Sequence, residues 1–478
     1  MKKHSLVKVI SLLLLVVVLL TYFIAGRDGS VSYLALLDIV INFSESFYYF
    51  FDTFVFILVV GGFYGILNKT KVYRKLVDLI VNKFKDNRKL FVIAVTIIFA
   101  LVSSLTGMNL ALFIFIPLFV SVILLMGYDK LVAMSATVGA ILVGFIGGIF
   151  TTVKTASGTV TFDKLVGLDG NFTNVIPRIL LLVISTGLLI FNIICYIKKL
   201  ENGEGEDISS NDLLLMETKD KTGKAVKMDY SDVNVWPLIV VYSLLFVLFV
   251  LGFIPWDGLF GVSVFTKFHT WLTGLAIGKY NVFTSLISAN IPAFGEWTSL
   301  GNFIVAILVV GIFALIMKFI GKIKFDSAFD AFILGAKKLL PAAVISVFAY
   351  TVLICSYNNG FIETIITNAT EKFGDNVIAG SLISFLGSIL NVDLYYTNAG
   401  VFSVIVSSLS DAAKLDVYSI AFQSIFGLVS LIGPTSLLLI VTLTYLDIPY
   451  TKWLKYIWRF VLELVIAIFV VMMIVSLI

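Results

Sequence analysis

Two short stretches of polar and small residues interrupt otherwise apolar sequence: Ser103-Ser104-Leu105-Thr106-Gly107-Met108-Asn109 and Asn391-Val392-Asp393-Leu394-Tyr395-Tyr396-Thr397-Asn398. Hydroxyls, a side-chain amide and open backbone N–H groups at a helix break can hold a carboxylate, and neighbouring carbonyls and half-helix C-termini can hold a sodium ion. Ser103, Ser104, Thr106 and Asn109 supply such groups in the first stretch; Asn391, Thr397 and Asn398 supply them in the second. Asp393 is the sharpest single residue, because a carboxylate at membrane depth costs about 3 kcal/mol or more and needs a partner, a cation or a proton. It is read as the holder of a coupling ion. About 40 residues after each stretch comes a second interruption, Gly144-Phe145-Ile146-Gly147-Gly148 and Gly433-Pro434-Thr435-Ser436. In the second of these Pro434 removes a donor and frees carbonyls; at the two breaks Gly147 and Gly433 are assigned to the coupling ion, and Thr435 and Ser436 to substrate. Lys154, beyond the first interruption, either counters a substrate carboxylate or stands on the outer rim. Single Ser, Thr or Gly residues also serve simply to pack membrane helices, but clusters at breaks in matching places favour binding.

The elements that must position these residues are membrane helices. Hydrophobic residues make up 59% of the 478 and charged residues 13%, and the mean hydropathy is +1.05. No water-soluble core hides that much apolar surface. Runs at 9–24, 48–67, 175–197, 235–254, 301–317 and 453–478 approach or reach the roughly 20 residues that span a bilayer. The first resembles a secretory signal but lacks a small-residue cleavage site, so it is kept as a span. Segments 90–102 and 111–126 are too short to cross comfortably and are bracketed by Arg88/Lys89 and Asp129/Lys130, which fits a hairpin dipping in from the cytoplasm. Segments 377–390 and 399–410 repeat the pattern from the other face, because an extra crossing at 339–355 reverses the polarity. The expectation is an all-α polytopic membrane protein with two inverted repeats, each holding a re-entrant hairpin and a broken transmembrane helix, in all about nine full spans and two hairpins.

Charge orients this layout. With a cytoplasmic N-terminus, the inside segments 1–8, 68–90, 127–131, 198–234, 318–338 and 447–459 hold most of the 34 Lys and Arg residues, as loop charge bias requires. The expected domains are scaffold spans at 1–68, a first repeat at 69–197, a linker at 198–234, scaffold spans and an outer segment at 235–317, and a second repeat at 318–478. Each repeat opens on a basic amphipathic arm, at 69–89 and 318–338. The acidic, polar linker cannot form a packed domain.

Two histidines, His4 and His269, and two cysteines, Cys195 and Cys355, show no ligand spacing, so no metal site, cofactor or catalytic group is expected beyond a sodium coupling ion. No GxxxxGK[ST] loop appears, so ATP hydrolysis is not the driver. No nucleic-acid partner is expected; the partners are the bilayer and a small carboxylate or amino-acid substrate.

The repeat layout, together with Gly61-Gly62-Phe63-Tyr64-Gly65-Ile66-Leu67-Asn68-Lys69-Thr70 ahead of the first arm, resembles the ion transporter superfamily. The resemblance is to the anaerobic C4-dicarboxylate carrier family in particular, and more distantly to divalent anion/sodium symporters and p-aminobenzoyl-glutamate transporters. Ser104-Leu105-Thr106 with Asn109, and Thr397-Asn398, stand near the corresponding hairpin tips, without the Ser-Asn-Thr triplets of the divalent anion symporters. The resemblance implies a scaffold domain that mediates a homodimer and a transport domain that carries the site across the plasma membrane as an elevator. The reading is a secondary active transporter of a small organic anion, C4-dicarboxylate-like, or of an amino acid, coupled to Na⁺ or H⁺ or working by exchange. A basic amino-acid antiporter of the same fold is the alternative; an intramembrane enzyme or a channel is disfavoured.

Overall fold

The computed structural model describes residues 5–25, 30–155, 158–162, 175–203, 233–288, 291–297, 303–373, 377–390, 393–407 and 415–475. In chain order the main helices are α1 (Ser5–Ala25), α2 (Leu36–Tyr49), α3 (Phe51–Lys69), α4 (Lys71–Lys83), α5 (Arg88–Thr106), α6 (Ile116–Leu125), α7 (Lys130–Ile146), α8 (Val175–Glu201) and α9 (Trp236–Phe253). After short helices between 256 and 286 come α10 (Ile304–Ile320), α11 (Phe325–Asn358), α12 (Phe361–Phe373), α13 (Val377–Leu390), α14 (394–407), α15 (Leu415–Ile432), α16 (Leu437–Tyr445) and α17 (Tyr450–Val475). Among the described residues, eight helical stretches are long and apolar enough to cross a membrane. The protein is a polytopic helical membrane protein.

Burial sorts these helices into centre and periphery. The Leu415–Tyr445 run is 83% buried inside the protein, whereas α1 is 17% and α8 28% buried, so α15 and α16 form the middle and α1 and α8 turn their apolar sides outward to lipid. At the middle, α7 and α15 meet backbone to backbone: a Cβ on Gly427 would lie 2.9 Å from the Ile146 nitrogen. The other close crossing joins α3 to α11. A Cβ on Gly65 would lie 2.1 Å from the Ala331 carbonyl oxygen, and one on Gly335 2.1 Å from that of Gly61. Small residues permit this approach, which dispersion then stabilises.

Three elements differ from the sequence expectation. First, α5 runs on to Thr106 and holds 19 residues, because Thr106 bonds its hydroxyl back to the Val102 carbonyl and stays helical. The turn falls at Gly107, whose φ of 67° lies in the left-handed region that glycine enters without strain. Second, the arm expected at 318–338 and the crossing at 339–355 are largely one helix, α11, of 34 residues with Pro341 inside it. Proline forfeits one bond and need not end a membrane helix. Third, the chain beyond the first break at Gly147 pairs as a β-hairpin, β1 (Thr152–Thr155) with β2 (Gly158–Thr161), whereas beyond the second break it resumes as α16.

Candidate functional site

The first turn begins where α5 ends. Met108 follows Gly107 and is buried, its N–H donating to the Thr106 hydroxyl at 3.1 Å. Asn109 then starts a 3₁₀ turn over Leu110–Ile114, which the Tyr64 hydroxyl of α3 holds by donating to the Ile114 carbonyl at 2.6 Å. The Asn109 Oδ1 atom is buried without a hydrogen-bond partner.

The second stretch is described from Asp393 onward; Asn391 lies outside the described residues. Asp393 caps α14 through Oδ1, which accepts the N–H groups of Tyr395 at 2.8 Å and Tyr396 at 3.4 Å. Such a cap supplies donors that the first turn of a helix leaves open. The Tyr357 hydroxyl of α11 donates to the Tyr396 carbonyl at 2.7 Å, so α11 grips the second turn much as α3 grips the first.

Between α15 and α16 the chain unwinds at Gly433–Ser436. The Thr435 hydroxyl donates to the Ile389 carbonyl at 2.7 Å, tying the break to the end of α13. The last carbonyls of α15 are met from α17: the Trp453 indole N–H donates to Leu431 at 2.8 Å, and the Tyr450 hydroxyl donates to Ile432. In lipid an unwound backbone is tolerated only with such partners.

These three places surround one cavity of about 210 Å³. Gly107, Met108 and Asn109 line it from the first turn, Asp393, Tyr395 and Tyr396 from the second, and Gly433, Thr435 and Ser436 from the break. Phe50 and Tyr350, stacked with centroids 3.4 Å apart, line it with Thr53. Among the described residues, Asp393 is the one Asp, Glu, Lys, Arg or His that lines it. No group of three or more His, Cys, Asp or Glu residues able to hold a metal occurs among the described residues.

Of the expected site residues, Asn109, Asp393, Gly433, Thr435 and Ser436 meet at this cavity, and Ser103, Ser104, Thr106, Gly147, Thr397 and Asn398 do not line it. Ser103 donates to the Ile141 carbonyl at 2.8 Å and Ser104 to the Gly147 carbonyl at 2.7 Å. The Ser104 carbonyl in turn accepts the N–H groups of Ile149 and Phe150. These serines hold the first break together. Thr397 turns its hydroxyl back to the Asp393 carbonyl at 2.9 Å, and Asn398 is buried beside it with Oδ1 unpartnered.

Sequence reasoning missed Ser388, Thr53, Tyr350 and Gln423. Ser388 of α13 is 2% exposed, lines the cavity, and its Oγ has no hydrogen-bond partner. With Ser381 and Ser384 it recurs at helical spacing along one face of α13, and that spacing was the signal that could have found it. Gln423 was detectable as the one amide in the apolar run 417–446. Arg178, in the first turn of α8, is 1% exposed and reaches the Ser419 hydroxyl at 3.5 Å.

Residues 42–476 match the family described as DcuC, the C4-dicarboxylate anaerobic carrier. An uncharacterized protein of Haemophilus influenzae is 32% identical over 152 residues, which are 31% of this chain and 28% of that protein's length. The YdaH transporter of Alcanivorax borkumensis aligns with 98% of this chain and 97% of its own at 12% identity, with a TM-score of 0.44. Since the family match takes in nearly the whole chain, the protein belongs to the C4-dicarboxylate anaerobic carrier family, whose members are carriers and not enzymes.

Proposed function

We propose that the protein is a secondary active transporter of a small carboxylate of the C4-dicarboxylate type, bound in the cavity between the two turns and the second break. The observation that supports this reading is the lining itself, in which, among the described residues, uncharged polar groups of Asn109, Ser388, Thr435 and Ser436 stand around the single carboxylate of Asp393; the Lys154 side chain lies outside the described residues. A cavity of about 210 Å³ lies below the usual range for drug-sized ligands and suits a compact one. The N-terminal end of α16 at Leu437 and Leu438, which line the cavity, presents the N–H groups of a first helical turn and about half a positive charge to a carboxylate.

Asp393 makes coupling necessary. A carboxylate placed about 4 Å from an ionised Asp393 is repelled by about 4 kcal/mol at an effective dielectric of 20. A helix terminus contributes about 1 kcal/mol in return, too little to offset it. A proton or a sodium ion must therefore neutralise Asp393 when the dianion binds, with the Gly433 carbonyl as the second ligand of a sodium ion. The outlying hydroxyls and amide of Ser103, Ser104, Thr106, Thr397 and Asn398 support the walls of this site.

The wider reading retains the two oppositely directed re-entrant hairpins, a plasma-membrane protein with its N-terminus in the cytoplasm, and a homodimer built through the scaffold, within which the transport region moves as an elevator. A specific observation favours a second substrate class: Asp393, as the sole charged lining residue, would also pair with the ammonium group of an amino acid, as in a basic amino-acid antiporter. Uptake into liposomes carrying the purified protein separates the two. Labelled succinate is expected to accumulate under a sodium or proton gradient, and Asp393→Asn to abolish the ion dependence. Exchange of arginine or ornithine without succinate uptake would overturn the dicarboxylate assignment.

A further inference from the structure

We infer that the Gln423 side-chain amide occupies, in the first helix break, the place of a monovalent cation. Gln423 is the single glutamine of the chain and comes from α15, yet its amide lies in the break that follows α7. Its Nε2 is 2.8 Å from the Thr151 hydroxyl oxygen, 2.9 Å from the Gly148 carbonyl and 3.3 Å from the Phe145 carbonyl. The neighbouring Ser424 donates its hydroxyl to the Ile420 carbonyl of its own helix at 2.7 Å and lies 3.4 Å from the Ile146 carbonyl.

Three oxygens converge on one nitrogen that carries two hydrogens, and two of the three are carbonyls that can only accept. The orientation of the amide is fixed by this, because Oε1 in the same place would face both carbonyl oxygens. The residue is 1% exposed, and Oε1 is left without a hydrogen-bond partner. An arrangement that leaves one end of the amide unsatisfied and crowds acceptors around the other delivers partial positive charge to an oxygen cage. Unwound carbonyls at a half-helix end with a hydroxyl beside them are the ligands that otherwise take sodium in a membrane carrier. Gly148 keeps the cage open: a Cβ there would lie 2.1 Å from the Thr151 oxygen and 2.6 Å from Nε2. The Gly147 carbonyl, expected to hold a coupling ion, is engaged by Ser104 instead.

The first break therefore binds no mobile ion, and coupling falls on the second break and Asp393. This consequence for stoichiometry rests on the proposed coupled transport; the cage itself does not, and its test needs no substrate. The full chain, purified in detergent, is melted in sodium chloride and in potassium chloride of equal ionic strength. Gln423→Ala, which empties the cage, is expected to gain a sodium-specific rise in Tm of about 2 °C or more beyond the wild type. Gln423→Glu should gain more, because a carboxylate among oxygens requires a cation. Gln423→Leu, which fills the space without donating, should gain none. An equal sodium response in all four proteins overturns the inference. So does failure to recover Gln423→Ala and Gln423→Glu in either salt, since sodium should replace the lost donor.

Discussion

Asn109 and Ser388 line the cavity, and each buries a polar atom, Oδ1 and Oγ, that has no partner in the protein. Such groups contribute nothing to the fold and a hydrogen bond of about 1 kcal/mol or more to a ligand that reaches them. Asn109→Ala and Ser388→Ala are therefore each expected to raise the KM for substrate about tenfold while leaving Tm unchanged. Thr435→Val should do the reverse, lowering stability by about 1 kcal/mol through loss of its bond to Ile389. Uptake kinetics beside thermal unfolding distinguish the two patterns, and a fall in Tm for Asn109→Ala would remove its assignment to substrate. At this scale the sequence was legible in residue type: Asp393 and Asn109 stood out because charge and amide are costly at depth. It was illegible in direction. Nothing in Ser103-Ser104 says that both hydroxyls turn to the carbonyls of Ile141 and Gly147, since that depends on a helix some forty positions away.

Among the elements, the helices that cross were readable as apolar runs, and the interruption at Gly433-Pro434 as a break, because glycine and proline act locally. The extension of α5 to Thr106 and the merging of the second arm into α11 were not. Serine and threonine read as breakers in water, but in a membrane helix they bond back to their own turn, and Pro341 is accommodated by its neighbours. The contact of α3 with α11 gives this scale its test. Gly335→Val must push a branched side chain into the Gly61 carbonyl, which the bare Cβ would already approach to 2.1 Å. A loss of about 3 kcal/mol is expected, or failure to accumulate as a monodisperse peak in size-exclusion chromatography. Gly311→Ala, where a Cβ meets nothing within 4 Å, is the control and should leave Tm unchanged or slightly raised. A tolerated Gly335→Val would show that the two helices separate readily.

For the molecule as a whole, composition carried the most information, since the bilayer imposes a length on each apolar run, while loop charge proposes an orientation. A variant in which Cys195 and Cys355 are replaced by alanine, with Ser209→Cys in the linker, is expected to react with a membrane-impermeant maleimide only from the cytoplasmic side. With Ser285→Cys in the outer segment the reaction should occur in intact cells. The opposite pattern would invert the proposed topology and move the linker outside. Within that frame α11 acts as a beam. From Gly335, where α3 grips it, to Tyr350 at the cavity is 15 residues, or about 22 Å of continuous helix that includes Pro341. Pivoting by about 10° on that fulcrum would sweep the Tyr350 ring through about 4 Å. A tremor at the contact with α3 would thus be magnified into the width of a gate.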